Sequence, residues 1–501
     1  MTSRAAAAVA PSPSSSTLAA SAAVVHNATL RPTGDRLWVL GSLLGHAVAS
    51  SVVTLAFMYC TTRGLVFSGP PHDQSFAQFV VGVSLWCNSL FAVVYLLIQA
   101  SVLTSARFVQ RPHVRPGLLF CATRLLRAMW PYYMAGETIL VVLLVLWTRF
   151  SPVAWRVVRL EFHITTLCGL FIMAGTYIQT GKIYKTETLQ GRQRVQQLQS
   201  VGPVLIGRRS ALKTSCGRFG RVFVFHCLPR GSFMVLTGVF VQVSNFFHHD
   251  STTAVAMYLV MSFTMKMLAQ QLVRVLVLRS NVKDHRTMFA FTAIPTVLLD
   301  TQVSITLQRL QNTWTTVGGT VAMATFELGV RVVRILLVHH DSCLVKPRAR
   351  NDGTLVHVVA KSSNRLEAEA ELRRTRVLAF HAAEVYAEMS AEYIAIGCSA
   401  AVLFLGWRHP KYMMGTARAT HESHDNGARS FVSGVWQSPS LFAFQIVMEL
   451  VVDAVSCSIE IRHGVDFQPL RRNEAFVLAF LASVSVLNIQ ITSVMYMKTD
   501  D

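Results

Sequence analysis

Charged side chains are scarce in this 501-residue chain, where Asp, Glu, Lys and Arg together supply only 14% of the residues. Ordinary soluble domains carry about 25%. Three long stretches contain none of these four residue types: 37–62, 74–106 and 475–497. Because an α-helix needs about 20 apolar residues to cross the hydrocarbon of a bilayer, this scarcity argues against a soluble domain and predicts an integral membrane protein.

Motifs that carry a known chemistry are also absent. The chain has no GxxxxGK[ST] phosphate loop, no GxSxG nucleophile elbow and no GxGxxG sequence after a strand. Its nine cysteines form no CxxC pair, and most lie in apolar runs, where a thiol behaves as a small hydrophobic group. We therefore expect no cofactor and no catalytic residues, and an enzyme is the least favoured class.

Acidic residues are outnumbered by basic ones, 26 against 46, which gives a formal net charge of +20. In a membrane protein such an excess collects in cytoplasmic loops, so we interpret it as an orientation signal and expect no nucleic-acid binding. With the N-terminus inside, the inner segments hold 33 Lys and Arg residues and the outer segments hold 10. This imbalance predicts a cytosolic N-terminus and, with eleven spans, a C-terminus on the opposite side.

What remains is apolar sequence in long runs. It predicts an all-α fold, a polytopic transmembrane helical bundle of about ten to eleven spans, because the runs are too long and continuous for the strands of a membrane barrel. The transmembrane domain covers 37–497 and is followed by a short tail, 498–501. The predicted spans are 37–60, 79–103, 131–148, 162–178, 232–247, 254–270, 289–307, 315–338, 391–407, 441–461 and 476–497.

The first 36 residues are rich in Ala, Ser, Thr and Pro and contain no acid before Asp35. We interpret 1–36 as a disordered cytosolic tail. Its Ser-rich, acid-poor composition also fits an organelle transit peptide. The host membrane is therefore either the plasma membrane, which we favour, or that of an organelle.

Two predicted inner loops are long. The first, 179–231, holds ten basic residues and one acid. Such a cluster beside a span binds anionic lipid headgroups at about 1 kcal/mol per basic residue, although the simpler interpretation is an orientation signal. The second, 339–390, ends in a predicted helix over 364–389 that continues into the span beginning at 391. Apart from lipid, the sequence identifies no partner and no oligomeric state.

Ionisable residues inside the spans are the strongest functional signal. Each costs about 2.5 to 3.5 kcal/mol at the bilayer centre and normally faces the bundle interior with a partner. The tenth span carries Glu449, Asp453 and Glu460, whose spacing of four and seven residues places them on one helix face. The interpretation that we favour is a set of interhelical ion pairs and hydrogen bonds that fixes the packing. The functional alternative is a proton or cation path along this face.

Cations on neighbouring spans are the predicted partners of these acids. Glu327 and Arg331 are four residues apart and are expected to pair on their own helix, which leaves Arg334 to find a carboxylate elsewhere. Lys266 either pairs in the same way or extends to the membrane interface. Asp300 lies five residues after a proline, and a broken helix beside an acid is typical of ion-coupling sites.

The remaining polar features are expected to be structural. Histidines cluster at 248–249, at 339–340 and in the HESHD sequence at 421–425. A metal site needs three or four converging ligands, and HESHD lacks the HExxH spacing of metalloproteases, so we expect no metal. Glu137 and Glu161 are interpreted as packing groups. Gly41 and Gly45 form a GxxxG sequence, which is typical of close helix packing or dimerisation.

Size and span number are those of many secondary transporters, which is an argument by association. We therefore favour a secondary transporter or channel-like protein of unknown substrate, with a non-catalytic membrane scaffold or receptor as the alternative. The candidate ion or substrate pathway residues are Glu327, Arg331, Arg334, Asp300, Glu449, Asp453, Glu460 and Lys266.

Overall fold

The computed structural model of the protein describes residues 32–110, 112–200, 217, 219–246, 252–279, 284–309, 313–344, 356–407, 409–413 and 427–498. It is 88% helical, and these residues form no strand, only two isolated β-bridges. The predicted all-α class is confirmed. The helices are α1 (Pro32–Thr62), α2 (Phe76–Leu103), α3 (Leu118–Phe150), α4 (Leu160–Glu187), α5 (Leu189–Ser200), α6 (Leu228–Phe246), α7 (Thr252–Arg279), α8 (His285–Arg309), α9 (Thr313–Leu344), α10 (Val356–Gly406), α11 (Gly427–Arg462), α12 (Gln468–Arg471) and α13 (Glu474–Met495).

Nine of these helices are long and apolar enough to cross a membrane: α1 to α4, α7, α8, α10, α11 and α13. A tenth span results if Phe219–Cys227 and Gly231–Ser244, which meet at a bend of 52°, cross together. The predicted eighth span, in α9, is not among them, since its described part carries three charged residues, Glu327, Arg331 and Arg334. The protein is thus a multi-pass helical bundle, and the cytosolic side of its N-terminus stays a prediction.

Helix boundaries follow local chemistry where the chain supplies a cap. α2 begins at Phe76, three residues before the predicted start of the second span, because Ser75 and Gln78 form a capping box. The Gln78 backbone N–H donates to Ser75 Oγ at 3.3 Å, and the Ser75 N–H donates to Gln78 Oε1 at 3.0 Å. Two donors of the first turn are therefore satisfied without help from outside the helix.

The centre of the bundle is formed by α8, α10 and α13. Between 72% and 78% of the most apolar window of each is buried, against 28% for α3 and α11. α10 packs along α8 and α1, while α13 packs against α1 and α2. Because a central helix is shielded from lipid by its neighbours, it can carry polar groups that a lipid-facing helix cannot.

α10 is a single helix of 51 residues, and it is buried before the predicted span begins. The expected span starts at 391, and residues 380–396 are all buried. The chain has no proline between 356 and 406, so nothing interrupts the backbone hydrogen bonds. The predicted helix 364–389 does continue into the span, and much of it lies inside the bundle.

The predicted break in the seventh span is not observed. α8 runs without interruption from His285 to Arg309, with Pro295 inside it. Asp300 therefore lies on a continuous helix and not beside an exposed helix end. Any ion site near Asp300 must be built from side chains of neighbouring helices.

One end of the bundle is closed by the turn between α1 and α2 together with residues 409–413. The Gln74 side-chain amide donates to three backbone carbonyls of the turn at 2.7 to 3.1 Å. His409 Nε2 donates to the Thr62 carbonyl at 2.8 Å, and its Nδ1 accepts from the Lys411 backbone N–H at 3.3 Å. The His409 ring also stacks on Phe79, with 5.5 Å between ring centroids. This arrangement requires the neutral imidazole, because Nδ1 acts as an acceptor.

Mild acid is expected to destabilise this end of the bundle. Burial lowers the pKa of His409 to about 4, from an ordinary value of 6.5. Because the folded pKa lies below the unfolded one, the stability contribution is complete above about pH 6.5 and is lost progressively as the pH falls toward about 4. We expect His409→Gln, which can donate to Thr62 but cannot titrate, to flatten the dependence of Tm on pH in detergent.

His72→Gln is the matched control for this measurement, since the His72 side chain is 67% exposed and its substitution should leave the slope unchanged. Differential scanning fluorimetry across the acidic range gives the slopes directly. A His409→Gln protein with the wild-type slope would contradict the prediction.

Candidate functional site

α10 presents four titratable side chains on one face. His381, Glu384, Glu388 and Glu392 follow one another at spacings of three, four and four residues, which stacks them along one side of the helix. All four are buried. Since each residue adds about 1.5 Å along a helix axis, they form a strip about 16 Å long, roughly half the hydrocarbon thickness of a bilayer.

Side chains from α7, α8, α9 and α11 meet this strip in one buried group, which we call the charge cluster. The structure brings all eight predicted pathway residues together in it and adds the four residues of α10. The charge cluster consists of Lys266, Asp300, Glu327, Arg331, Arg334, His381, Glu384, Glu388, Glu392, Glu449, Asp453 and Glu460.

Arg331 is the central cation of the charge cluster, with a side chain that is 2% exposed. Its Nη1 donates to Asp453 Oδ1 at 2.7 Å, and its Nη2 donates to Glu392. Its Nε lies 3.6 Å from Glu388 Oε2. The planar guanidinium has donors that point in several directions, so this one side chain links α9 to both α10 and α11.

Arg334 finds its carboxylates on α10, which confirms the prediction that it pairs outside its own helix. Its Nη1 lies 2.5 Å from Glu388 Oε1 and 3.4 Å from Glu384 Oε1. Its Nη2 donates to Gln270 Oε1 at 3.2 Å, and the Gln270 amide donates to Glu388 at 2.9 Å. The pair is therefore extended to α7 by a neutral side chain.

The predicted pairing of Glu327 with Arg331 is wrong. Glu327 does not form an ion pair with Arg331 on its own helix; instead it accepts from Lys266 Nζ at 2.5 Å, and Lys266 also lies 3.0 Å from Asp300. Lys266 is 6% exposed and does not extend to an interface. Asp453 pairs with Arg331. The physical reason is that the packing of the helices brings Lys266 of α7 close to Glu327, and carboxylates of α10 and α11 close to Arg331. These contacts are closer than the one that Glu327 and Arg331 could make on their own helix.

The two ends of the charge cluster differ. At one end, His381 Nε2 lies 2.9 Å from Glu460 Oε2, and its Nδ1 lies 4.0 Å from Glu384. At the other end, carboxylate oxygens of Glu327, Glu392 and Glu449 all lie within 4.8 Å of one another. One end thus joins a carboxylate to a titratable base, and the other brings three carboxylates together.

Acids outnumber cations in the charge cluster. It holds eight carboxylates but only three permanent cations, Lys266, Arg331 and Arg334; His381 adds a charge only when protonated. The half-buried Arg274 acts electrostatically on Glu384 at the edge, which still leaves an acidic excess. Isolated buried charges cost several kcal/mol each even after relaxation. The excess therefore calls for additional positive charge in the folded protein.

Several oxygens in the charge cluster receive no hydrogen bond from the residues that the structure describes. Oε2 of Glu392 and Oε2 of Glu449 are both buried without a donor. Native proteins satisfy roughly 90% or more of their buried polar groups. The Glu392 carboxyl contacts those of Glu327 and Glu449, and such contacts between acids are stabilised by a shared proton or by a bound cation.

The other sequence predictions have mixed outcomes. Glu161 accepts from Trp147 Nε1 at 3.2 Å and lies 3.6 Å from Arg159, a structural contact. Glu137 is 8% exposed, and neither of its oxygens has a hydrogen-bond partner among the described residues. A Cβ added to Gly41 or Gly45 would meet nothing within 4 Å, so the GxxxG sequence packs against no described part of the chain.

Some predictions concern residues that the structure does not describe. The histidine pair at 248–249, the HESHD sequence and almost all of the tail 1–36 lie outside the described ranges. The same holds for 201–216 and 218 of the predicted basic loop 179–231.

Sequence reasoning missed the four residues of α10, although a usable signal exists. Glu384, Glu388 and Glu392 recur every four residues among alanines, and 380–396 contains no Lys, Arg or Asp. At helical spacing this segment carries one acidic stripe on a buried helix. The predicted span boundary at 391 left only Glu392 inside the span, so the stripe was not recognised and none of the four residues was predicted.

Comparison of the chain with protein-family models, with curated proteins and with solved structures found no match.

Proposed function

We propose that the protein is a cation-coupled membrane transporter and that its coupling ion binds in the charge cluster. The observation that carries this proposal is the excess of buried carboxylates over cations, together with carboxylate oxygens that lack donors. A bound cation would supply the missing positive charge. Ionisable residues inside transmembrane segments commonly mark ion or substrate pathways.

Energetics support an ion pathway over a purely structural role. Replacing buried ion pairs by well-packed apolar groups is often neutral or stabilising by about 1 to 4 kcal/mol. A scaffold that needed only tight packing would therefore gain little from twelve titratable or charged groups at its centre. Balanced pairs would also suffice to join helices, whereas this group is strongly acidic.

Geometry supports the same proposal. The charge cluster extends about 16 Å along α10, and five helices contribute to it, so its carboxylates form a continuous series and not a single contact. Glu449 and Glu327 at one end are only partly buried. An ion could thus enter at that end and pass between neighbouring carboxylates, as relays of acidic groups do in pumps and transporters.

Asp453→Asn is expected to abolish cation flux in protein that still folds, with a lower Tm than wild type because the buried pair with Arg331 is weakened. The change keeps the side-chain volume and removes one charge, and Arg331 retains its pair with Glu392. Purified protein would be reconstituted into vesicles that carry imposed gradients of H⁺, Na⁺, Ca²⁺ or Mn²⁺, with an indicator dye for each ion. We expect protein-dependent flux of at least one of these ions and a loss of about ten-fold or more in the variant.

Asp73→Asn is the matched control, because the Asp73 side chain is 64% exposed and the same chemical change there should preserve flux. Size-exclusion profiles and Tm establish that both variants are folded. Flux equal to that of empty vesicles for every ion, or equal flux in wild type and Asp453→Asn, would contradict the proposal and favour a scaffold or receptor.

A further inference from the structure

We propose that Glu327, Glu392 and Glu449 form a binding site for a hard divalent cation of the Ca²⁺ or Mn²⁺ class. The three residues come from α9, α10 and α11, three consecutive helices whose side chains converge at one end of the charge cluster. This inference rests on the proposed function and deepens it, because it names the class of ion that the pathway would carry.

The spacing of the ligand oxygens fits one ion. One carboxylate oxygen of each residue lies within 4.8 Å of the other two. Ca²⁺ binds oxygen at about 2.3 to 2.6 Å, so two of its ligands lie at most about 5 Å apart. At the 4.8 Å limit the point equidistant from the three oxygens lies about 2.8 Å from each, so a single cation contacts all of them after movements of a few tenths of an ångström.

A second observation points independently to a ligand. The Glu392 side chain is 6% exposed, and its Oε2 has no donor among the described residues. Arg331 donates to the other oxygen, and the Glu392 carboxyl contacts the carboxyls of Glu327 and Glu449. Carboxylates in contact repel one another unless a proton or a cation lies between them, and metal titration distinguishes the two.

Charge and donor type select the class of ion. Around the site, Lys266 and Arg331 face five carboxylates: Asp300, Glu327, Glu392, Glu449 and Asp453. A divalent ion would remove most of the resulting negative charge. The donors are all oxygen, with no His or Cys, which suits Ca²⁺, Mg²⁺ or Mn²⁺ and not Zn²⁺ or Cu⁺.

The sequence predicts no metal site, because ligand spacing along the chain reveals only sites whose ligands are close together in sequence. Here Glu327, Glu392 and Glu449 are separated by 65 and 57 positions. Glu449 has no Lys or Arg within ion-pair distance among the described side chains and is only partly buried. Its carboxyl contacts Glu392, and its partial exposure offers a route for the ion to exchange.

Metal binding is tested on the full-length protein in detergent, separately from any flux. Wild-type protein is titrated with Mn²⁺, and the electron paramagnetic resonance signal gives the concentration of free Mn²⁺. A second titration with Ca²⁺ is measured by calorimetry. Tm is recorded at each metal concentration. We expect one ion per chain and a rise in Tm, because an ion that binds only the folded state stabilises it. Glu449→Gln and Glu327→Gln should each weaken binding by about ten-fold or more.

Glu371→Gln is the matched control, because the Glu371 side chain is 69% exposed on the same long helix as Glu392, and it should bind like wild type. Without metal, Glu449→Gln should melt no lower than wild type, since it removes a contact between like charges. A loss of binding by this variant is then a loss of a ligand and not of the fold.

Three results would overturn the inference: no Mn²⁺ or Ca²⁺ binding by wild type, wild-type affinity in both variants, or proton uptake by the site in place of metal. Cation or proton flux that persists in any of these cases would leave the proposed function standing. Stoichiometric metal binding without flux under any gradient would instead support this site and contradict transport.

Discussion

Arg331→Met is expected to yield protein that does not fold into a stable, monodisperse form. Arg331 is 2% exposed and is bound to carboxylates on two other helices, so the substitution leaves Asp453 and Glu392 buried without their cation. Removing one partner of a buried ion pair costs about 3 to 5 kcal/mol. Total stabilities are about 5 to 15 kcal/mol, so this single change removes a large share.

Fluorescence-detected size exclusion in detergent measures the outcome, and Tm follows for any folded fraction. Arg331→Lys should fall between wild type and Arg331→Met, because a lysine ammonium keeps the charge but cannot reach several carboxylates with fixed donors. Adding Asp453→Asn to Arg331→Met should recover part of the loss, since coupled residues give non-additive effects.

Arg279→Met is the control, because Arg279 is exposed in the last turn of α7 and should tolerate the same change. Arg331→Met protein that elutes as a single species and melts at the wild-type temperature would show that these pairs do not hold the helices together.

Gly82→Ala is expected to destabilise the protein by disrupting the close packing of α2 against the turn that follows α1. A Cβ at position 82 would lie 2.1 Å from the Leu65 backbone nitrogen and 2.2 Å from the Gly64 carbonyl carbon. Backbone atoms cannot move aside as a flexible side chain can, and Gly64 itself has a φ of 60°. Overpacking of this kind costs typically about 1 to 3 kcal/mol, and occasionally more.

Gly45→Ala should act in the opposite direction. A Cβ there meets nothing within 4 Å, and alanine in a helix interior is more favourable than glycine by roughly 0.5 to 1 kcal/mol. Tm in detergent compares the two variants directly, and we expect it to fall for Gly82→Ala and to hold or rise for Gly45→Ala. Equal Tm values for the two would contradict the close approach of α2 to the turn.

Helix positions in this protein are readable from local sequence. The uncharged run 74–106 corresponds to α2, Phe76–Leu103, and 475–497 corresponds to α13, Glu474–Met495. The reason is that each helix satisfies its own backbone, so a run of apolar residues suffices to place it in lipid. The acidic face of the tenth span was also predictable from local sequence, because helical spacing alone brings Glu449, Asp453 and Glu460 to one side.

The same local reasoning did not predict that α10 is buried from residue 380 onward. Hydropathy counts Glu384, Glu388 and Glu392 as if they faced lipid or water, and it therefore favours a later start. In the structure these side chains face Arg331 and Arg334 or other carboxylates. Whether a buried charge is tolerated depends on what surrounds it, and a sliding window contains only its neighbours in the chain.

Partner choice was decided by the tertiary structure alone. Lys266 and Glu327 are 61 positions apart, and Arg331 and Asp453 are 122 apart, so no local spacing relates them. Coulomb attraction falls with distance and rises where water is excluded. The pairs that form are therefore set by how α7 to α11 are arranged around one another, and that arrangement depends on the packing of the whole bundle.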